Sequence, residues 1–215
     1  MLLGLVGSEM CIRDRGETPN TMFGIAEYPN GQQVFFNVRN VNYDGYERQV
    51  ENEYYFEDGG KIIRGEYYAP GSSQGEPVNV PAGKVTPGGK WGSFSAACRA
   101  GDPSMANGNV NDAHYVCVLG HLINNSYRLG EKVPFNAKAG RFGDNAAAAE
   151  HFGRLHDVMS SGVGIPEDGN DYIVGPWLTF DPETEQHTGD HAEKANVLLK
   201  DPNRKGFEIP EMGQV

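Results

Sequence analysis

The sequence predicts an α+β fold: an open, mostly antiparallel sheet with helices packed on one face. Three observations predict it. Between Thr21 and Tyr68 lie short runs rich in aromatic and β-branched residues, separated by Asn-Gly and Gly-Gly turns. From Trp91 to Leu199 the apolar residues recur at helical spacing instead. The links between the early runs are too short for crossover helices, which makes neighbouring strands antiparallel.

The strands come first. Thr21–Tyr28 is one strand, Pro29-Asn30-Gly31 a hairpin turn, and Gln33–Val41 the return strand. Glu47–Phe56 runs as a third strand, and Glu57-Asp58-Gly59-Gly60 turns it into a fourth, Lys61–Tyr68. Apolar residues occupy both alternations: Phe35 beside Phe36, Tyr54 beside Tyr55, Tyr67 beside Tyr68. A sheet with one wet face alternates cleanly, so the second face here needs cover. A symmetric partner copy offering the same face is the expected cover.

Pro70–Gly89 is a Gly/Pro/Ser-rich surface excursion, and Trp91–Ala100 a short helix ended by Gly101-Asp102-Pro103. Asn109–Phe135 reads as a long helix running into a loop. Asn109 is placed to cap it, Asp112 complements its N-terminus, and Leu129-Gly130 stops it with Gly in a left-handed C′ position. Ala113, Val116, Cys117, Gly120, Ile123 and Tyr127 form its expected buried face. Opposite runs a polar stripe of Asn111, His114, His121, Asn125 and Arg128, without Lys or Glu. Such a stripe is either a satisfied structural network or the lining of a cleft. Asp144–Ser161 is the next helix, stopped by Gly162. Trp177–Phe180 is a late strand before the acidic turn Asp181-Pro182-Glu183, His191–Leu199 a closing helix, and Phe207–Pro210 an extended tail.

Residues Met1–Arg15 do not fit this pattern. Their apolar part, Leu2–Val6, is too short for a signal-peptide core and lacks a basic flank. The string resembles a translated sequencing-adapter read-through. The expectation is a non-native or disordered leader over 1–15 and one α+β domain over 16–215, the C-terminal part of a longer protein.

The 215 residues carry a formal net charge of -11, which argues against nucleic acid and against an anionic membrane surface as partners. No apolar run approaches the roughly 18 residues that a membrane helix needs. The 3 cysteines form no CxxC pair and no disulfide framework. This favours the cytoplasm, with export left open because the natural N-terminus is expected to be missing. Walker and HExxH motifs are absent, and Gly71-Ser72-Ser73-Gln74-Gly75, which spells GxSxG, follows no buried parallel strand and opens no helix. His187 and His191, four apart around Asp190, are interrupted by Gly189 and read as solvated loop histidines rather than a metal pair.

Three stretches carry a family resemblance. The run FFNVRNVNYDGYERQVENEYYFEDGGKI resembles the substrate-domain hairpin of the Gfo/Idh/MocA oxidoreductases, named for glucose-fructose oxidoreductase and inositol dehydrogenase. Gly45-Tyr46-Glu47-Arg48 and Glu57-Asp58-Gly59-Gly60 stand at matching places, though Glu47 replaces the commoner Asp and no residue separates it from Arg48. HYVCVLGHLINNSYRLGEKVPF and WLTFDPETEQHTGD are similar to the family's bacterial branch, in which this helix ends in Arg-Leu-Gly and a late strand carries an aromatic-Asp-Pro. The resemblance spans about residues 16–215, and the order of the motifs is more specific than any one of them.

The resemblance implies a two-domain enzyme. An N-terminal Rossmann domain would bind NAD or NADP, and this domain would shape the pocket for a sugar, polyol or related hydroxy compound. The family's Gly fingerprint, its Glu-Lys-Pro lysine and its His/Asp proton-transfer pair all precede the matching part. No catalytic or cofactor-binding residue is therefore expected here, and no metal. Substrate-binding candidates are Arg39, Asn40 and Tyr46 at the end of the second strand, and His114 and His121 on the long helix. The expected partners are a sugar-like small molecule, the missing Rossmann domain and a second copy through the sheet face. The competing reading is a non-catalytic carbohydrate-binding or oligomerising module.

Overall fold

The computed structural model describes residues 2–8, 19, 21–43, 51–79, 83, 85–200 and 203–208. Strand β1 (Leu2–Ser8) lies between β2 (Thr21–Glu27) and β9 (Asp171–Asp181), antiparallel to both. β2 turns through Pro29-Asn30-Gly31 into β3 (Gln33–Arg39), with Gly31 at a positive φ of 83°. On its other edge β9 pairs first with β8 (Glu131–Pro134) and then with β10 (Gln186–Thr188). The α+β class holds.

Within the expected leader of residues 1–15, Leu2–Ser8 are not disordered: they form a strand paired on both edges. A short apolar run without alternation, such as LLGLVGS, suits a strand that is paired on both edges. Residues 9–15 lie outside the described residues.

Helices flank this sheet on both faces, where the sequence predicted one. Phe23 and Ile25 of β2 join Phe135, Tyr172 and Val174 in a core with Phe152, Leu155 and Met159. Those last three come from α3 (Ala146–Asp157) and the single π-turn that follows it, Val158–Gly162. The alternate residues Met22 and Ala26 meet a second core of Leu122, Ile123, Tyr127, Leu178, Phe180 and Ala195. That core is supplied by α2 (Val110–Arg128) and α4 (Ala192–Val197). Each of these large side chains stabilises the fold by about 1.5–3 kcal/mol on burial. Phe35 stacks on His151 of α3, with ring centroids 4.9 Å apart. The cover demanded by the two-sided apolar hairpin thus comes from the chain's own helices.

One irregularity lets β9 serve both cores. Leu3 pairs with Leu178 and Leu5 with Gly175, so Pro176 and Trp177 stand opposite Gly4 alone. This is a β-bulge, and it shifts the alternation by one residue. Before it, Tyr172 and Val174 enter the α3 core; after it, Leu178 and Phe180 enter the α2 core.

The chain divides into two units, Met1–Asp44 with His114–Val215, and Gly45–Ala113. The second contains a separate four-stranded antiparallel sheet of β4 (Tyr54–Tyr55), β5 (Lys61–Ile63), β6 (Glu66–Tyr68) and β7 (Gly75–Pro77). The predicted strand Lys61–Tyr68 is in fact a hairpin. Arg64 and Gly65 both take positive φ, 54° and 76°, the signature of a two-residue type I′ turn. The predicted third strand survives in the described residues only as β4; residues 44–50 lie outside them. Helix α1 (Gly89–Ala100) closes on Gly101 at φ 63°, with the Asp102 N–H bonded to the Ala97 carbonyl.

Candidate functional site

Helix α2 starts where its cap predicts: the Asn109 Oδ1 accepts the Asn111 N–H at 2.9 Å. Its burial differs from the expected face. Ala113, Val116 and Cys117 are exposed, while Leu122, Ile123, Asn125, Ser126 and Tyr127 are buried. Helical period alone could not show that the packing begins only in the third turn. Gly130 also has another role than predicted. Its φ is not positive; a β-carbon there would press within 2.6 Å of the Ile173 side chain and 3.0 Å of the Val174 carbonyl carbon.

The polar stripe of α2 splits into two behaviours. Asn111, His121 and Arg128 are exposed, and so is His114, whose Nε2 meets the Glu185 carboxylate at 2.7 Å. That pair is half-exposed on both sides and contributes little to stability. Asn125 is buried and belongs to a network. Its Nδ2–H donates to His187 Nε2 at 3.3 Å, which leaves the ring proton on Nδ1 without a partner. The His187 backbone is clasped by one amide side chain: its N–H donates to Asn196 Oδ1 at 2.7 Å, and its carbonyl accepts from Asn196 Nδ2 at 3.0 Å. Burial pushes the His187 pKa below the ordinary histidine value, with a smaller opposing effect from the Thr179 backbone. The expectation of a solvated His187 is corrected here; only His191 of that pair is exposed.

At the end of β3, Arg39 lies opposite Thr21 in the ladder. The Arg39 Nε and the Thr21 Oγ1 are both buried and lack hydrogen-bond partners. Asn40 is exposed, and Tyr46 lies outside the described residues. Arg39 and the two α2 histidines do not line the cleft described next.

The β9–β10 hairpin forms a polar cleft that sequence reasoning passed over. Its loop is tied locally: Asp181 Oδ1 accepts the Glu183 N–H, and Thr184 Oγ1 donates to Asp181 Oδ2 at 2.8 Å. The Thr184 hydroxyl foremost, then the Glu183 N–H, hold the Asp181 carboxyl below its usual pKa. Thr188 stands opposite Thr179. Gly189, at φ 78°, then turns the chain into Asp190 and His191. Trp177, Thr179, Thr188, Gly189, Asp190 and His191 line a cleft of about 240 Å³. The available signal was the pairing of Trp-x-Thr on one strand with Thr-Gly-Asp-His on its hairpin partner.

A second buried network lies on the other face. His156 Nδ1 is 3.0 Å from the Tyr172 hydroxyl, and its Nε2 is 3.3 Å from Glu167 Oε1. Burial first, then the charges of Glu167 and Asp157, raise the Tyr172 pKa and keep the phenol protonated. Phe135 packs on both rings. The two rings are buried, while the Glu167 carboxylate that completes the network is exposed.

Every described strand pairing is antiparallel. A dinucleotide pyrophosphate is cradled by a Gly-rich turn between a parallel strand and a helix N-terminus. The described residues do not fit such a cofactor. Among them, no three His, Cys, Asp or Glu side chains are grouped to hold a metal ion. No family model, curated protein or solved structure matches the chain.

Proposed function

We propose that this chain is the substrate-side domain of an NAD(P)-dependent oxidoreductase that transfers hydride to or from a sugar, polyol or related hydroxy compound. The observation that supports the reading is the order of three motifs along the sequence. Gly45-Tyr46-Glu47-Arg48 comes first, then Arg128-Leu129-Gly130 at the end of α2, then Phe180-Asp181-Pro182 at the end of β9. The last two belong to one packed layer, joined by the Asn125–His187 contact and the shared core of Tyr127 and Phe180. In this reading the cofactor is held by a domain encoded upstream, and this chain supplies hydroxyl- and carboxylate-binding groups. Arg39 is the first candidate, since a buried guanidinium N–H without an internal partner is a directed donor for a substrate oxygen.

The upstream reading frame tests the proposal. It should encode a strand followed by GxGxxG and, later, Glu-Lys-Pro. The extended protein should reduce NAD or NADP with a sugar or polyol, and the present chain alone should give no heat on titration with either nucleotide. A reading frame without that βαβ unit, or a micromolar dissociation constant for the chain alone, would sink it.

A further inference from the structure

We propose that the β9–β10 cleft binds one polyhydroxylated ring, a monosaccharide or cyclic polyol. Trp177 supplies the apolar wall, and Thr179, Thr188, Asp190 and His191 the hydrogen bonds. The strand geometry brings these groups together. Past the bulge at Pro176–Trp177, the alternation sends Leu178 and Phe180 into the α2 core and leaves Trp177 and Thr179 on the other side. The ladder sets Thr188 across from Thr179, so two hydroxyls share one face. The positive φ of Gly189 returns the chain over that face and delivers Asp190 and His191.

The chemistry of the lining favours a neutral ring. The Trp177 indole is half-buried, and its Nε1–H donates to the Arg141 carbonyl at 3.4 Å, which fixes the ring plane. A fixed indole offers an apolar surface to the C–H face of a sugar at low entropic cost. Among the described residues the side chains of Thr179, Thr188, Asp190 and His191 make no hydrogen bond or ion pair, which leaves their capacity for hydroxyl groups. A carboxylate accepts from two vicinal hydroxyls, while the threonines both donate and accept. The cleft is small: it holds about 240 Å³, against roughly 300–1,000 Å³ for pockets that take drug-sized molecules. The Asp190 charge and the net charge of -11 disfavour anions.

The test uses the chain alone, so its result does not depend on the hydride-transfer reading. There are two tryptophans, and a Trp91→Phe background leaves Trp177 as the reporter. Glucose, xylose and myo-inositol are titrated against its fluorescence, with tetramethylammonium as a cationic control. At least one sugar or polyol should give a saturable change with a dissociation constant on the order of 1–10 mM. Asp190→Asn, at an exposed residue without internal bonds, should fold normally and weaken binding about tenfold or more. Amide shifts at Thr179, Thr188 and Gly189 in a nuclear magnetic resonance titration should locate the same event without any variant. No saturable change up to about 100 mM, an undiminished response in Asp190→Asn, shifts confined to other residues, or saturation by tetramethylammonium alone would each overturn the proposal.

Discussion

Gly175 of β9 and Ser126 of α2 touch so closely that no β-carbon fits between strand and helix: one placed on Gly175 would stand 2.5 Å from the Ser126 carbonyl oxygen and against its hydroxyl. The same hydroxyl donates to the Pro176 carbonyl at 2.7 Å, tying the helix to the bulge. Gly175→Ala should therefore cost roughly 1–3 kcal/mol or more by overpacking. Removing the hydroxyl in Ser126→Ala should not rescue it, because the backbone oxygen remains. Urea denaturation of the three variants checks this; a Gly175→Ala protein as stable as the parent would refute the contact.

The lowered pKa of His187 makes stability depend on pH in a defined direction. The folded state favours the neutral ring, and the unfolded chain takes up the proton at the ordinary histidine value. The contribution is full above about pH 6.5 and is lost as pH falls through the depressed folded value. The melting temperature should fall between neutral and mildly acidic pH, and His187→Gln should flatten that slope. An unchanged slope in the variant would assign the acid sensitivity to other groups.

Deleting residues 1–8 removes the partner of both β2 and β9 at once. The truncated chain should lose its cooperative thermal transition. An unaltered melting curve would show that β2 and β9 do without β1.

Tyr172→Phe keeps the packing of the α3 core and removes the hydroxyl bonded to His156. His156 Nδ1 is then buried without a partner, so the variant should lose about 1–3 kcal/mol. A loss below the error of denaturant titration would mean that water replaces the hydroxyl.

What the sequence made legible was local. Asn109 capped the helix that it flags, Asn30-Gly31 turned its hairpin, and Gly101 closed α1 where the sequence placed its end. Each depends on residues within a few positions of one another. The misses are non-local. Strand β8 carries only one half-buried apolar residue, Val133, and owes its form to pairing with β9. The first two turns of α2 look as amphipathic as the rest, yet only the tertiary fold decides where their cover begins. Arg64-Gly65 hides a turn, because a positive φ on arginine leaves no compositional mark. Arg39 was nominated by residue type and does not line the β9–β10 cleft, whose recognition required knowing that Thr179 and Thr188 are ladder partners.

The bulge at Pro176–Trp177 also acts as a parity switch for everything that follows it in the strand. Removing either residue would leave Leu178 opposite Leu3 and Gly175 opposite Leu5, with one residue facing Gly4, so the ladder would become regular and each later residue of β9 would keep its side. Leu178 and Phe180 would stay in the core with Ala26, Ile123 and Ala195, and Thr179 would stay outside it. Core and cleft would change places only if the bulge were straightened at its present length, which would slide every later residue of β9 by one against β1. The segment therefore tolerates the loss of its extra residue better than it tolerates an unbroken ladder that keeps it.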